Sequence, residues 1–317
     1  MNEDQLFLCI DGGGTKTEAV LADTGGRVLG YSLSGGSNAL SVGNKEAVRA
    51  VMDAVRGALG STELERISAA YLFIPGFSQC LPLSLPFPVK LLDDAVNAYY
   101  GAMVVPGGIV LLAGTGSFAV SCKADGTVQT IGGWGPALGD EGSGYDIGRL
   151  AIRNALGRFD RNETMTLLDR AVTGHFGLAE PSKLIGAVYR RGCDREYIAK
   201  LCMVVAAHAR AGEADALDIL YQAAAALSKL AVTLQTRLGM AVADVALTGG
   251  VAEIGEPLTA PLRQMLSRSE LTLRPAFSTP SVGGILFACR DLAGIPADRR
   301  LAAAYQNAYN ERKTMRA

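Results

Sequence analysis

Only two histidines, His175 and His208, occur in 317 residues, and no cluster around them has metal-ligand spacing, so a zinc site is not expected. The six cysteines (Cys9, Cys80, Cys122, Cys193, Cys202, Cys289) are scattered without paired spacing. That excludes a disulfide framework and predicts buried thiols in a reducing cytoplasm. No Gly-x-Ser-x-Gly elbow or Cys/His arrangement is present, so nucleophilic catalysis has no candidate. Net charge is −1, which supplies no basic field for nucleic acid or an anionic membrane. No apolar stretch reads as long enough to span a bilayer. The acidic opening Met1-Asn2-Glu3-Asp4-Gln5 runs into a strand and not into a signal peptide. Charged residues are few at 19%, while 49% are hydrophobic, a balance that excludes disorder and predicts a filled core. The length suits two domains.

What the chain does have is one pattern written twice. Asp11-Gly12-Gly13-Gly14-Thr15-Lys16-Thr17-Glu18 leads into an apolar run and the turn Asp23-Thr24-Gly25-Gly26. Gly114-Thr115-Gly116-Ser117 leads into a second apolar run and the turn Asp125-Gly126-Thr127. At constant offset Gly12 falls on Gly114, Gly14 on Gly116, Thr15 on Ser117 and Asp23 on Asp125. Each copy reads as strand, glycine loop, strand, turn and strand. Glycine lets backbone N–H groups approach a phosphate, and the following hydroxyl adds a donor. Two such loops predict a two-lobed, nucleotide-dependent machine.

Strands are predicted over Leu6–Asp11, Glu18–Asp23, Arg27–Leu33, Ile67–Ile74 and Val89–Leu92 in the first copy. In the second they are Ile109–Ala113, Phe118–Lys123 and Val128–Ile131, with Asp244–Thr248 later. Helices are predicted from Lys45 to Leu59, from Ala95 to Ala102, through most of Tyr145–Leu238, after Pro280 and after Pro296. The reading is α/β, with domains at 1–106 and 107–295 and a helical tail at 296–317 whose docking is left open.

Asp11 ends the first strand just before the glycine turn, where a carboxylate can hold Mg²⁺ directly or through water. The alternative is a loop-capping aspartate bonded to Gly13 and Gly14. Gly13, Gly14, Thr15 and Lys16 are candidates for the first phosphate loop, and Gly114, Thr115, Gly116 and Ser117 for the second; Lys16 reads equally well as a solvated lysine. Asp94, at a strand-to-helix junction, is the candidate general base for a hydroxyl, against the alternative that Asp93 or Asp94 is a helix cap. Trp134-Gly135, followed by Asp140 and Glu141, places an indole beside two carboxylates, which suits a sugar ring. Asn38 offers an amide to the same pocket. Gly249 and Gly250 at a strand end would let an adenosine lie against the backbone.

In this order the motifs resemble the BadF/BadG/BcrA/BcrD ATPase family of the sugar kinase, Hsp70 and actin superfamily, with a flavour similar to N-acetylglucosamine and glucosamine kinases. The resemblance implies two ribonuclease H-like, actin-like ATPase domains with mixed sheets flanked by helices and a nucleotide cleft between them. It implies ATP and Mg²⁺ as cofactors, with Asp11 attending the metal, Thr15 and Thr115–Ser117 holding phosphates, and Gly249 and Gly250 lining the adenosine site. It also implies Asp94 as base, and Asn38, Trp134 and Asp140 in the sugar pocket. A homodimer is implied as well. The expected partner is a small-molecule sugar, with neither nucleic acid nor membrane, and the expected place is the cytoplasm. Two rival readings stand beside this one. An ATPase that activates an acyl-CoA dehydratase needs exposed cysteines just past the second loop, whereas Cys122 falls inside a predicted strand. A non-catalytic sugar sensor needs a DNA-binding segment ahead of the first strand, where about five residues stand.

Overall fold

The computed structural model describes residues 4–80, 83–190 and 195–315, so Cys193 lies outside the described residues. The chain divides into two compact units, the first comprising Met1–Pro106, Cys122–Val128 and Pro275–Ala317, and the second Gly107–Ser121 and Gln129–Arg274. The helix after Pro280 packs with the first unit.

In the first unit β1 (Leu6–Gly12), β2 (Thr17–Asp23) and β3 (Val28–Ser34) are followed by α1 (Ala39–Val42), α2 (Asn44–Leu59), β4 (Ile67–Phe73), β5 (Val89–Leu92) and α3 (Asp94–Ala102). The sheet order is β3-β2-β1-β4-β5, antiparallel at β1/β2 and β2/β3 and parallel at β1/β4 and β4/β5. β1 is apolar and buried from Leu6 to Ile10, as a central strand covered on both faces must be. Ala47, Ala50, Val51, Ala54, Val55 and Ala58 make one buried stripe on α2 at helical spacing.

The second unit opens with β6 (Ile109–Ala113), β7 (Ser117–Cys122) and β8 (Val128–Gly132). Its helices are α4 (Gly144–Asp160), α5 (Leu167–His175), α6 (Leu184–Arg190), α7 (Arg195–Ala199), α8 (Leu201–Arg210) and α9 (Ala214–Leu238). It closes with β9 (Ala243–Thr248), α10 (Glu256–Ser267) and β10 (Leu271–Arg274). The order β8-β7-β6-β9-β10 repeats that of the first sheet, again antiparallel at the central hairpin (β6/β7) and parallel at β6/β9 and β9/β10. The written duplication is therefore a duplication of topology. α10 and β10 were not anticipated. Two prolines interrupt the helical pattern of α10, and β10 is four residues long.

By length and composition α9 would qualify as a membrane span, contrary to the expectation that no stretch would. Its buried face, including Ile219, Leu220, Ala223, Leu227 and Leu234, packs into the core of the second unit, while Asp218, Gln222 and Lys229 lie outside that face. The pattern is that of an amphipathic core helix.

The chain returns to the first unit with α11 (Pro280–Ala293) and α12 (Arg299–Thr314). The tail docks through hydroxyls. Tyr309 and Tyr31 each donate to Glu18 Oε1 at 2.8 Å, and Ser281 donates to Glu18 Oε2. Tyr305 donates to the Asp23 carbonyl at 2.6 Å. A buried carboxylate with three donors is a satisfied one.

α11 lies directly on α3. A Cβ at Gly283 would stand 2.0 Å from the Asn97 carbonyl oxygen and 2.3 Å from the Gly101 nitrogen. Gly→Ala inside a helix ordinarily stabilises by about 1 kcal/mol. Here backbone overlap outweighs that gain, so Gly283→Ala is expected to destabilise the protein by roughly 1–3 kcal/mol in chemical denaturation; unchanged or higher stability would show that the helices are not in backbone contact.

Candidate active site

The first glycine loop is fastened on both sides. Gly13 N donates to Lys16 O at 3.0 Å, and Ser37 N and Asn38 N both donate to Gly13 O, at 2.8 and 3.0 Å. Gly36 crosses so closely that a Cβ there would lie 1.9 Å from Gly14 O. Thr15 and Lys16 are exposed at the tip. Asn38 caps α1, its Oδ1 accepting from Leu40 N at 3.0 Å.

Asp11 is not bonded as a loop cap. Asn97 Nδ2, on α3, donates to its Oδ1 at 2.8 Å. Asn97 is buried, and its own Oδ1 has no protein partner. Burial pushes the Asp11 carboxyl up to about 6, with Glu18 adding to the rise and the Asn97 bond and Lys16 opposing it. Asp94 begins α3 and is partly buried. Asp93 takes the capping task, accepting from Ala95 N at 2.8 Å. Asp94 is thereby left outside the cap, and its carboxyl is raised well above the ordinary value by burial, by Asp93 beside it and by the charge of Asp11. Two carboxyls on different elements are thus close enough to perturb one another, the pattern of a functional site.

In the second unit the loop Gly114–Gly116 joins β6 to β7. Its carbonyls are engaged by the start of α4: Gly144 N donates to Gly114 O at 2.8 Å and Tyr145 N to Thr115 O at 3.4 Å. Ser117 Oγ donates to Glu141 O at 2.8 Å, and Ser117 N donates to Asp140 Oδ1 at 3.4 Å. Asp140 is buried in a left-handed conformation, φ 64°, which a non-glycine residue adopts only when held. Its other oxygen accepts from Arg195 Nη2. Glu141 is exposed, and Trp134 is exposed at 73%, with Gly135 beside it. Gly249 leaves β9 at φ 94° against Ala113 O, and Gly250 opens the turn that follows.

The first unit therefore gathers Asp11, Asp94 and the loop from Gly13 to Lys16, with Asn38 on the segment that crosses it. The second gathers Gly114–Ser117, Asp140, Glu141, Trp134, Gly135, Gly249 and Gly250. Asn97 and Arg195 were missed. Asn97 carries a faint signal as the one polar side chain on an apolar stretch of α3, one turn after Asp94. Arg195 carries none, lying 55 residues from the carboxylate it meets. Among the described residues no group of three or more His, Cys, Asp or Glu side chains could hold a metal. One carboxylate and an unpartnered amide oxygen, all hard oxygen donors, fit Mg²⁺, which keeps several waters and takes few protein ligands.

A model of the BadF/BadG/BcrA/BcrD ATPase family matches residues 8–288. The chain belongs to that family. Within known proteins it is similar to an N-acetylmuramic acid/N-acetylglucosamine kinase of Clostridium acetobutylicum, 32% identical over 76% of this chain and 84% of that one. It is also similar to the glucosamine kinase of Vibrio cholerae, 27% identical over 83% and 91%. Among solved structures, a Chromobacterium violaceum protein provisionally assigned as an N-acetylglucosamine kinase superposes with TM-score 0.72 at 24% identity, covering 89% of this chain and 98% of that one. A ROK family glucokinase from Streptomyces griseus gives 0.58 at 19%, covering 91% and 99%. These two likenesses concern the fold, that of the actin-like ATPases.

For this family member the Asp11 environment has a consequence for stability. Its folded value exceeds the ordinary 3.8, so its contribution to stability is full below that value and lost as pH rises through about 6. Asp11→Asn keeps the acceptor for Asn97 and removes the charge. It should be more stable than wild type at pH 8 by on the order of 2 kcal/mol, with the gap shrinking at pH 5; equal denaturation midpoints at pH 8 would show that the carboxylate is not held at a cost.

Proposed function

We propose that this protein transfers the terminal phosphoryl group of ATP to the 6-hydroxyl of an amino sugar, glucosamine or N-acetylglucosamine. The observation that carries the reading is Asp94, uncapped at the first turn of α3 with its carboxyl raised. A carboxylate placed there accepts the hydroxyl proton as the sugar oxygen attacks phosphorus. The new O–P bond forms at the sugar, the bond to the bridging oxygen breaks, and ADP leaves. Backbone N–H groups of the glycine loops and the hydroxyls of Thr15 and Thr115 hold the phosphates. Asp11, oriented by Asn97, would hold Mg²⁺, which neutralises phosphate charge when bound. Exposed Trp134 offers an apolar face to the sugar ring, with Gly135 beside it, and exposed Glu141 and the Asn38 amide offer polar partners for its hydroxyls; Asp140, buried and engaged by Ser117 N and Arg195, is not free for that task. The amino-sugar kinases among the relatives support this reading, as does Cys122, which is buried within β7 and so unsuited to ligate an iron–sulfur cluster at the surface.

The deciding measurement is ADP release against glucosamine, N-acetylglucosamine, N-acetylmuramic acid and glucose. Sugar-dependent release with one of the first two is expected; release independent of every sugar would sink the proposal. Asp94→Asn is expected to retain ATP and sugar binding in calorimetry while kcat falls by at least about 10². Near-normal turnover would remove Asp94 from the role of base.

A further inference from the structure

We infer that Arg195 is a phosphate-binding arginine of the second glycine loop, positioned by Asp140. The inference rests on the reading of this protein as a nucleotide-dependent kinase and assigns a residue that no motif marks. Arg195 opens α7, yet its guanidinium lies against the loop. A Cβ on Gly116 would stand 2.3 Å from Arg195 Nη2 and 2.8 Å from Asp140 Oδ2.

Asp140 is only 2% exposed, and its carboxylate bridges two donors, Ser117 N on the loop and Arg195 Nη2. A backbone N–H and a guanidinium converging on one oxyanion is how proteins grip phosphate. In this structure Asp140 supplies that oxyanion from within the chain. Arg195 also keeps donors in reserve. Its Nε is buried with no partner, while 36% of the side chain remains exposed. A guanidinium carries five N–H groups in a planar fork, so one carboxylate contact leaves others for a phosphoryl oxygen. The loop carbonyls that would repel an anion, Gly114 O and Thr115 O, already accept from the start of α4. The ligand class is therefore the polyphosphate of a nucleoside triphosphate.

The plain alternative is that Arg195 only neutralises Asp140. Calorimetric titration of a non-hydrolysable ATP analogue separates the two. In Arg195→Gln the analogue should bind at least about tenfold more weakly than in wild type. The neutral pair Asp140→Asn/Arg195→Gln should not recover, because the lost contact was to phosphate. Wild-type affinity in Arg195→Gln, or recovery in the double variant, would overturn the inference and leave Arg195 a counter-ion. Arg195→Lys keeps the charge against Asp140 but not the fork, and it serves if Arg195→Gln fails to fold by thermal melt. Weakened binding in that variant is expected, and wild-type affinity there overturns the inference equally. Wild-type protein that binds no analogue would defeat the kinase reading together with this one, whereas wild type that binds beside unaffected variants defeats this one alone.

Discussion

The first unit's candidate site depends on two helices touching at their backbones. Gly101 and Gly283 let α3 and α11 approach until no side chain fits between them. Ser278 fixes the crossing, donating from both N and Oγ to Gly101 O at 2.8 Å. That contact sets where α3 lies against β1, and so where Asn97 can reach Asp11. Asn97 and Asp94 are one turn apart on the same helix, so placing one places the other. A helix displaced by the width of a methyl group would lose the 2.8 Å bond and move Asp94.

The same constraint reaches the tail. Glu18 pairs across the hairpin with Asp11, and its carboxylate is held by Tyr31, Tyr309 and Ser281. One anion therefore ties β2, β3, α11 and α12 together beside the other anion that the site uses. Glu18 raises the Asp11 carboxyl, so the residue that docks the tail also tunes the candidate metal anchor. A charge this deep in an otherwise apolar sheet is tolerable because hydroxyl donors meet both oxygens.

Much of this was legible in the sequence, and the reasons differ by element. The duplicated strands could be read because apolar runs bounded by Asp-x-Gly-type turns leave few other folds. Loop positions could be read because glycine is needed where Gly36 crosses Gly14. Asp94 could be read only as one of two aspartates, and the structure separates them by giving the cap to Asp93. The docking of α12 could not be read, since the hydroxyls of Tyr305 and Tyr309 meet β2 and its end across nearly the whole length of the chain. Asn97 and Arg195 share that difficulty: each acts on a residue far away in sequence, and no local spacing records the meeting.

The two copies share a topology but have divided their chemistry. In β1 the residue before the glycine turn is Asp11; at the matching place in β6 it is Ala113. The second loop thus has no carboxylate at that place, and one comes from outside the repeat, since Asp140 accepts from Ser117 N. A carboxylate on the strand end faces a cation, as in the first copy. A carboxylate brought in from a separate segment, and shared with an arginine, instead organises donors for an anion. Duplication explains why both units have a glycine loop. Ala113 at the matching place leaves only the first loop with a carboxylate at its strand end.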